Sequence, residues 1–378
     1  MTNQENEPTS VPGFSLPELT IKGKTIRLPI IQGGMGVGVS LHRLASAVAV
    51  LGAAGVVSSA ALDVIVSARL GKKVDPYEAA YCEITEAKKS GGYIGMNIMV
   101  ALVRDYEASV KGSLDAGVDA IISGAGLPLS LPAIQPPRDT ALIPIVSSAR
   151  ALEVICKKWG RLGYRPDAVV LEGPLAGGHI GFQLDQWQLP ENALENLLPS
   201  VKDAARKHGD IPVIVAGGIY SHEDIRRFIA MGADGVQMGT RFLATHESSA
   251  TDSYKQAVVE ATVKDILVSA VPCSPCGLPF RLLTKSPMYI ATLNQTRVPI
   301  CNKGYVLQRD NEGRLTKCAA KLPGWQYFCI CNGLISSAGY SDVKDAMYTV
   351  GAIASRVEKI ISVRELIDEL SGAASPKA

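Results

Sequence analysis

IPVIVAGGI at residues 211–219 and GADGVQMGT at residues 232–240 share one arrangement: a short apolar run closes on glycine, and a polar, helix-compatible stretch follows. A run such as VIVA lacks the alternation of a half-exposed strand, so both its faces are buried, as in a parallel strand covered by helices. The same rhythm recurs upstream at residues 29–32, 56–58, 94–97, 120–123, 143–146 and 168–171, which with 213–216 and 235–238 makes eight strands. Helices are predicted between them at 41–51, 103–116, 149–159, 194–207 and 223–231. The last starts well, because Ser221 is placed to cap it and Asp224 puts a carboxylate in its first turn. Eight βα units predict an α/β protein built on a (β/α)8 TIM barrel, with an open doubly wound sheet as the alternative.

The rhythm stops after Thr245. Residues 247–270 are expected to be helical, 271–345 irregular, and 355–370 an amphipathic helix. The expected organisation is a flexible N-terminus at 1–16, a barrel at 17–246, and a smaller, mainly helical C-terminal domain at 247–378 packed over one end of the barrel.

Composition excludes several classes. The 378 residues are 47% hydrophobic and 20% charged with 36 glycines, which suits a compact α/β enzyme and not a disordered or fibrous chain. Net charge is +2 and the basic residues are dispersed, so nucleic acid is not an expected partner. The polar, acidic start MTNQENEPTSVPGFSLPE has no apolar signal core, and no long uncharged apolar run follows. The expectation is a cytoplasmic protein with no membrane partner. A homo-oligomer is compatible with this composition.

Barrel enzymes place their chemistry on loops at the C-terminal strand ends, and phosphate is frequently held after strands seven and eight. Those loops here read AGGI at 216–219 and QMGT at 237–240. Their backbone N–H groups can approach a phosphate closely, the helix after Ser221 adds its dipole, and Thr240 adds a hydroxyl. For any single glycine a tight βα turn is explanation enough; two such loops at consecutive strand ends point to a phosphate site. QGGMGVG at 32–38, GMNIM at 95–99 and SGAGLP at 123–128 leave floor space for a flat ligand, with Asn97 and Gln237 offering amide hydrogen bonds. FMN has that shape. The GxGxxG spacing of a dinucleotide fold is not cleanly met.

His179 follows strand six in LEGPLAGGHIGF, residues 171–182. Gly177 and Gly178 let the backbone lie against a cofactor while the imidazole reaches past it to substrate. The plainer alternatives are a structural histidine bonded to Glu172 and a solvent-facing loop histidine. A bulky residue at Gly178 is expected to displace the flavin by placing a Cβ against the ring.

GPLAGGHIG, IIQGGMGVG, GMNIM, IPVIVAGGI and GADGVQMGTRFLAT together closely resemble the nitronate monooxygenase (2-nitropropane dioxygenase) family, which also contains FMN-dependent enoyl-ACP reductases. The match runs from about residue 17 to 250 and returns at VEKIISVRELIDEL, 357–370. This resemblance implies that Gly34, Met35, Asn97 and Glu172 line the flavin and that Gly177 and Gly178 lie beside it. It implies that Gly217, Gly218, Gln237, Gly239 and Thr240 hold the ribityl phosphate, and that His179 is the catalytic histidine. Two activities follow from it. One oxidises alkyl nitronates with O2 to carbonyl compounds and nitrite. The other uses NAD(P)H to reduce enoyl thioesters or quinones. In either, the substrate is a small molecule.

Six of the eight cysteines lie between 271 and 345, where VPCSPCGLPF stands against the family pattern SPxGLPxR. In a reducing compartment such cysteines can hold zinc or an iron–sulfur cluster, with Cys301, Cys318, Cys329 and Cys331 as first candidates and Cys273 and Cys276 next. The spacing matches no standard ligand string, and buried thiols without a metal are the default. Cys82 and Cys156 read as core residues. Of the other histidines, His42, His208, His222 and His246, only His246 is expected near the active face.

Overall fold

The computed structural model describes residues 16–275, 277–296, 303–305, 312, 318–321 and 325–373. Eight parallel strands, Ile30–Gln32, Ala54–Ser58, Tyr93–Met99, Ala120–Gly124, Ala141–Val146, Val169–Glu172, Val213–Ala216 and Gly235–Met238, form a closed barrel in chain order. Strand eight closes on strand one through the pairs Val236↔Ile30, Gln237↔Ile31 and Met238↔Gln32. All eight expected strands are present, and the TIM barrel is confirmed over the open sheet.

Alternate residues of each strand serve two cores. Ile31, Val56, Ile122, Ile143, Val170 and Ile214 fill the barrel. Val57, Ile121, Leu142, Val169, Val213 and Val215 face the surrounding helices. Burial on both sides is why these strands read as unbroken apolar runs.

The barrel helices fall close to expectation, at His42–Val50, Tyr106–Asp115, Ala149–Gly160, Leu194–Lys207 and His222–Ala230. At Ser221 the capping box is complete: the serine side chain accepts from Asp224 N, and the Asp224 carboxylate accepts from Ser221 N. The strand-two crossover carries two helices, Leu62–Leu70 and Pro76–Lys88. An antiparallel hairpin, Leu19–Ile21 with Lys24–Ile26, was not anticipated. Its Leu19, Ile21 and Ile26 join the barrel-interior cluster and plug the N-terminal end, so the opposite mouth is the open one.

The chain after residue 246 departs from its expected pattern. Helix covers only Asp252–Val259 of the 247–270 stretch; a 3-10 turn at Val263–Asp265 and a strand at Ile266–Ser269 follow. Thr262 and Asp265 form a capping box that starts the turn, and ILVS then pairs antiparallel with Phe280–Leu283. The region expected to be irregular also contains helices Pro287–Leu293 and Ile330–Ser337. The final helix is Val363–Ser371, shorter than expected, because Ser362 accepts from Glu365 N and fixes the start there; a 3-10 turn, Ala352–Arg356, precedes it. No helix among the described residues is long and apolar enough to cross a membrane. The expected flexible tail lies, up to residue 15, outside the described residues.

The Ser221 cap positions the helix behind the AGGI loop. Ser221→Ala is expected to lower stability by about 1 kcal/mol, read as an earlier urea midpoint at constant slope.

Candidate active site

The C-terminal strand ends surround a cavity of about 670 Å3. All twelve residues singled out in the sequence line it: Gly34, Met35, Asn97, Glu172, Gly177, Gly178, His179, Gly217, Gly218, Gln237, Gly239 and Thr240. The loop after strand one is held by Ser40, whose hydroxyl accepts from Met35 N at 2.9 Å and from the amide of the buried Gln32, also at 2.9 Å. Strand four supplies Gly124 and the following turn, and strand five is followed by Ser147.

His179 stands on a two-residue strand, Gly178–His179, that leaves the barrel and pairs antiparallel with Phe280–Leu283 through Phe280↔His179 and Arg281↔Gly178. The Phe280 ring meets the imidazole edge-on, with centroids 4.9 Å apart. The buried Ser274 hydroxyl lies 3.1 Å from His179 Nε2. Glu172, the partner in one plainer alternative, acts on His179 through its charge, and the Ser274 hydroxyl meets Nε2.

Arg281 is 2% exposed and donates from Nη1 to the carbonyls of Pro174, at 2.9 Å, and Ala176. Its guanidinium lies over the Trp187 ring, 5.3 Å from the centroid. Burial pushes its pKa down to about 10. The arginine therefore ties down the turn that precedes Gly177–Gly178 with charge-assisted hydrogen bonds.

The two glycines before His179 have different tasks. A Cβ on Gly177 would lie 2.6 Å from the Val350 carbonyl carbon and 2.7 Å from Gly351 N, so this position is closed by backbone. Gly178 has φ +68° and open space around it, the nearest atom being on Phe280 at 3.8 Å. Protein backbone closes the Gly177 position, whereas at Gly178 the positive φ is what the protein itself requires of glycine.

The C-terminal segment supplies a wall that the barrel pattern did not reveal: Leu278, Phe280, Leu334, Thr349, Val350 and Gly351. Gly351 N donates to Thr240 Oγ1 at 2.9 Å, which leaves the Thr240 hydroxyl hydrogen available to a ligand. Tyr254 OH accepts from Thr349 N at 2.8 Å and fixes that wall. The SPCGLPFR stretch at 274–281 was the available signal for Ser274, Phe280 and Arg281, but nothing local shows which histidine it meets.

The Glu172 carboxyl sits at the cavity floor. Burial pushes its pKa up to about 7, with the nearby His179 pulling the other way. Gln237 Oε1 is buried and has no hydrogen-bond partner among the described residues. An orphaned amide oxygen among cavity-lining glycines fits a flat ligand that donates an N–H, as the FMN ring does.

The remaining candidates sit elsewhere. His42 Nδ1 is 2.7 Å from the buried Glu83, and His222 Nδ1 is 2.9 Å from the Leu370 carbonyl. His208 caps a helix end. His246 does not line the cavity. Cys318, Cys329 and Cys331 are buried in the main hydrophobic cluster, as is Cys156, with Cys82 packed against it. Among the described residues, no group of three or more His, Cys, Asp or Glu side chains is placed to hold a metal ion. Cys276 and Cys301 lie outside the described residues.

A closed parallel barrel with a histidine over a glycine-lined cavity at its C-terminal mouth defines the class, an oxidoreductase barrel. The chain belongs to the nitronate monooxygenase family, whose model matches residues 18–372. It is 29% identical to a probable nitronate monooxygenase of Bacillus subtilis (strain 168), over 65% of this chain and 74% of that protein. It is 37% identical to the (3aS,4S,5R,7aS)-5-hydroxy-7a-methyl-1-oxo-octahydro-1H-indene-4-carboxyl-CoA dehydrogenase of Rhodococcus jostii (strain RHA1), over 38% of this chain. That match spans only 34% of the Rhodococcus protein. Among solved structures, FabK from Thermotoga maritima aligns with a TM-score of 0.66 at 25% identity, covering 90% of this chain and 91% of FabK.

The raised pKa of Glu172 has a consequence for folding. Its value rises from the ordinary 4.5 to about 7, so ionisation opposes the folded state. The cost is absent below the unfolded value, grows as pH rises through that window, and persists above it. Glu172→Gln is therefore expected to raise the thermal midpoint of the ligand-free protein at pH 8 and to leave it unchanged near pH 4. An equal change at both pH values would contradict the assignment.

Proposed function

We propose that this oxidoreductase is FMN-dependent and of the nitronate monooxygenase type, oxidising alkyl nitronates with O2 to carbonyl compounds and nitrite. The observation that carries the reading is His179, held over the cavity beside the Gly177–Gly178 backbone with its ring fixed by Phe280 and Ser274. In this reading the barrel, 17–246, carries the cofactor, and the unit at 247–378 closes over it.

FMN, when bound, supplies the electron-accepting ring. Gln237 and Asn97 would meet its polar edge, with Gly34, Met35 and Glu172 against the ring and Gly177 and Gly178 alongside. Gly217, Gly218, Gly239 and Thr240 would hold the phosphate, using backbone N–H groups and the free hydroxyl hydrogen. His179 would stabilise the anionic substrate as a hydrogen-bond donor and handle its proton. Glu172, protonated over part of the neutral range, limits the negative charge facing that anion. Arg281 and the antiparallel pairing keep the histidine in place while substrate enters from the open mouth.

A second reading is an NAD(P)H-dependent reductase of enoyl thioesters or quinones. The apolar wall of Leu127, Leu278, Phe280 and Leu334 favours it by offering room for a carbon chain, and the likeness to FabK and to a CoA-thioester dehydrogenase supports it. An iron–sulfur cluster found by metal analysis of the purified protein would move the reading toward this reductase, as a one-electron relay beside the flavin.

Anaerobic titration separates the two. No flavin bleaching with NADH or NADPH, followed by bleaching with an alkyl nitronate, is the expected result; rapid bleaching by a nicotinamide would establish the reductase. In either case His179→Ala is expected to retain FMN while turnover falls on the order of a hundredfold. Unchanged turnover would remove His179 from the chemistry.

A further inference from the structure

We propose that Ser274 is a positioning residue for His179, fixing the orientation of the imidazole; this rests on the catalytic reading of the histidine. Three contacts locate His179. Its backbone is paired with Phe280, and Ile180 N donates to Pro279 O at 2.9 Å, which sets the direction in which the side chain leaves the strand. The edge-on contact with Phe280, at 4.9 Å, restricts the ring's tilt. The remaining freedom is rotation about the Cβ–Cγ bond, and the hydroxyl 3.1 Å from Nε2 is placed to arrest it.

Ser274 is itself immobile. It is fully buried, and its carbonyl accepts from Gly277 N at 3.1 Å. The adjoining Cys273 is laced to the 326–328 segment by Cys273 N donating to Gln326 O at 2.8 Å and by Phe328 N donating to Cys273 O at 3.2 Å. Ser269 Oγ donates to Pro272 O, closing the turn from the other side. The backbone that carries the hydroxyl is thus tied on both sides.

A neutral imidazole has one N–H donor and one lone-pair acceptor, and a hydroxyl can bond Nε2 in either role, so the contact orients the ring in both tautomers. Glu172 acts on His179 through its charge, and the Arg281 guanidinium donates to the Pro174 and Ala176 carbonyls. The serine reaches the histidine from 95 residues further along the chain, so the C-terminal unit contributes to the reacting centre as well as covering it.

The experiment uses full-length protein carrying 15N-labelled histidine. The His179 ring signals are identified by their loss in His179→Gln. In Ser274→Ala, which removes one oxygen from a buried site, the Nε2 resonance is expected to shift, with FMN content and the unfolding midpoint unchanged. Turnover with whichever reductant bleaches the flavin is expected to fall about tenfold in kcat, with KM within about twofold. An unmoved Nε2 resonance, or kcat equal to that of the unsubstituted protein, would overturn the proposal. If Nε2 shifts but His179→Ala itself keeps full turnover, the catalytic reading of His179 has failed and the positioning role falls with it. If His179→Ala loses turnover while Ser274→Ala leaves Nε2 unmoved, only the role of Ser274 has failed.

Discussion

Closure of the barrel is the constraint on which the rest of this molecule depends. Once Gln237 pairs with Ile31, no strand keeps a free edge, and every strand is buried on both faces. Two consequences follow. Strand interiors must be apolar throughout, so polar side chains can gather only where strands end. All eight strands also point the same way, so their C-terminal ends share one mouth. The hairpin Leu19–Ile21 and Lys24–Ile26 plugs the other end and leaves that mouth as the open face.

At the mouth the barrel alone is incomplete. Its loops supply a glycine-lined floor and its strand ends the Gln237 amide and the Glu172 carboxyl, but His179 lies on a strand that has left the barrel for the sheet with Phe280–Leu283. That small sheet brings the C-terminal unit against the histidine. Phe280 restricts the ring, Ser274 meets its nitrogen, and Arg281 secures the turn before it, all from a single stretch of eight residues, 274–281. Gly351 reaches the same cavity from further along, through its bond to Thr240.

Much of this was legible without coordinates because the signals are local. The apolar runs and their glycine ends marked eight strands, and Ser221 with Asp224 marked the helix behind the AGGI loop. The expected floor residues converge on one cavity because strand ends in a barrel must converge. Expectation failed where the deciding contact is distant. ILVS at 266–269 looks compatible with helix and becomes a strand by pairing with Phe280–Leu283; the final helix starts later than its amphipathic pattern, because Ser362 caps it. Gly177 and Gly178 look equivalent in sequence, yet one is closed by the backbone of Val350 and Gly351, and the other is set by its positive φ.

By itself, the sequence determined the barrel, the mouth that carries the site and the histidine over it, since periodicity, caps and glycine turns act between residues close along the chain. Only the tertiary structure decided what surrounds that histidine. Ser274 and Arg281 carry no local pattern that names their partners. Their roles come from an antiparallel pairing that brings residues about a hundred positions apart into register, a choice made by the packing of the whole chain.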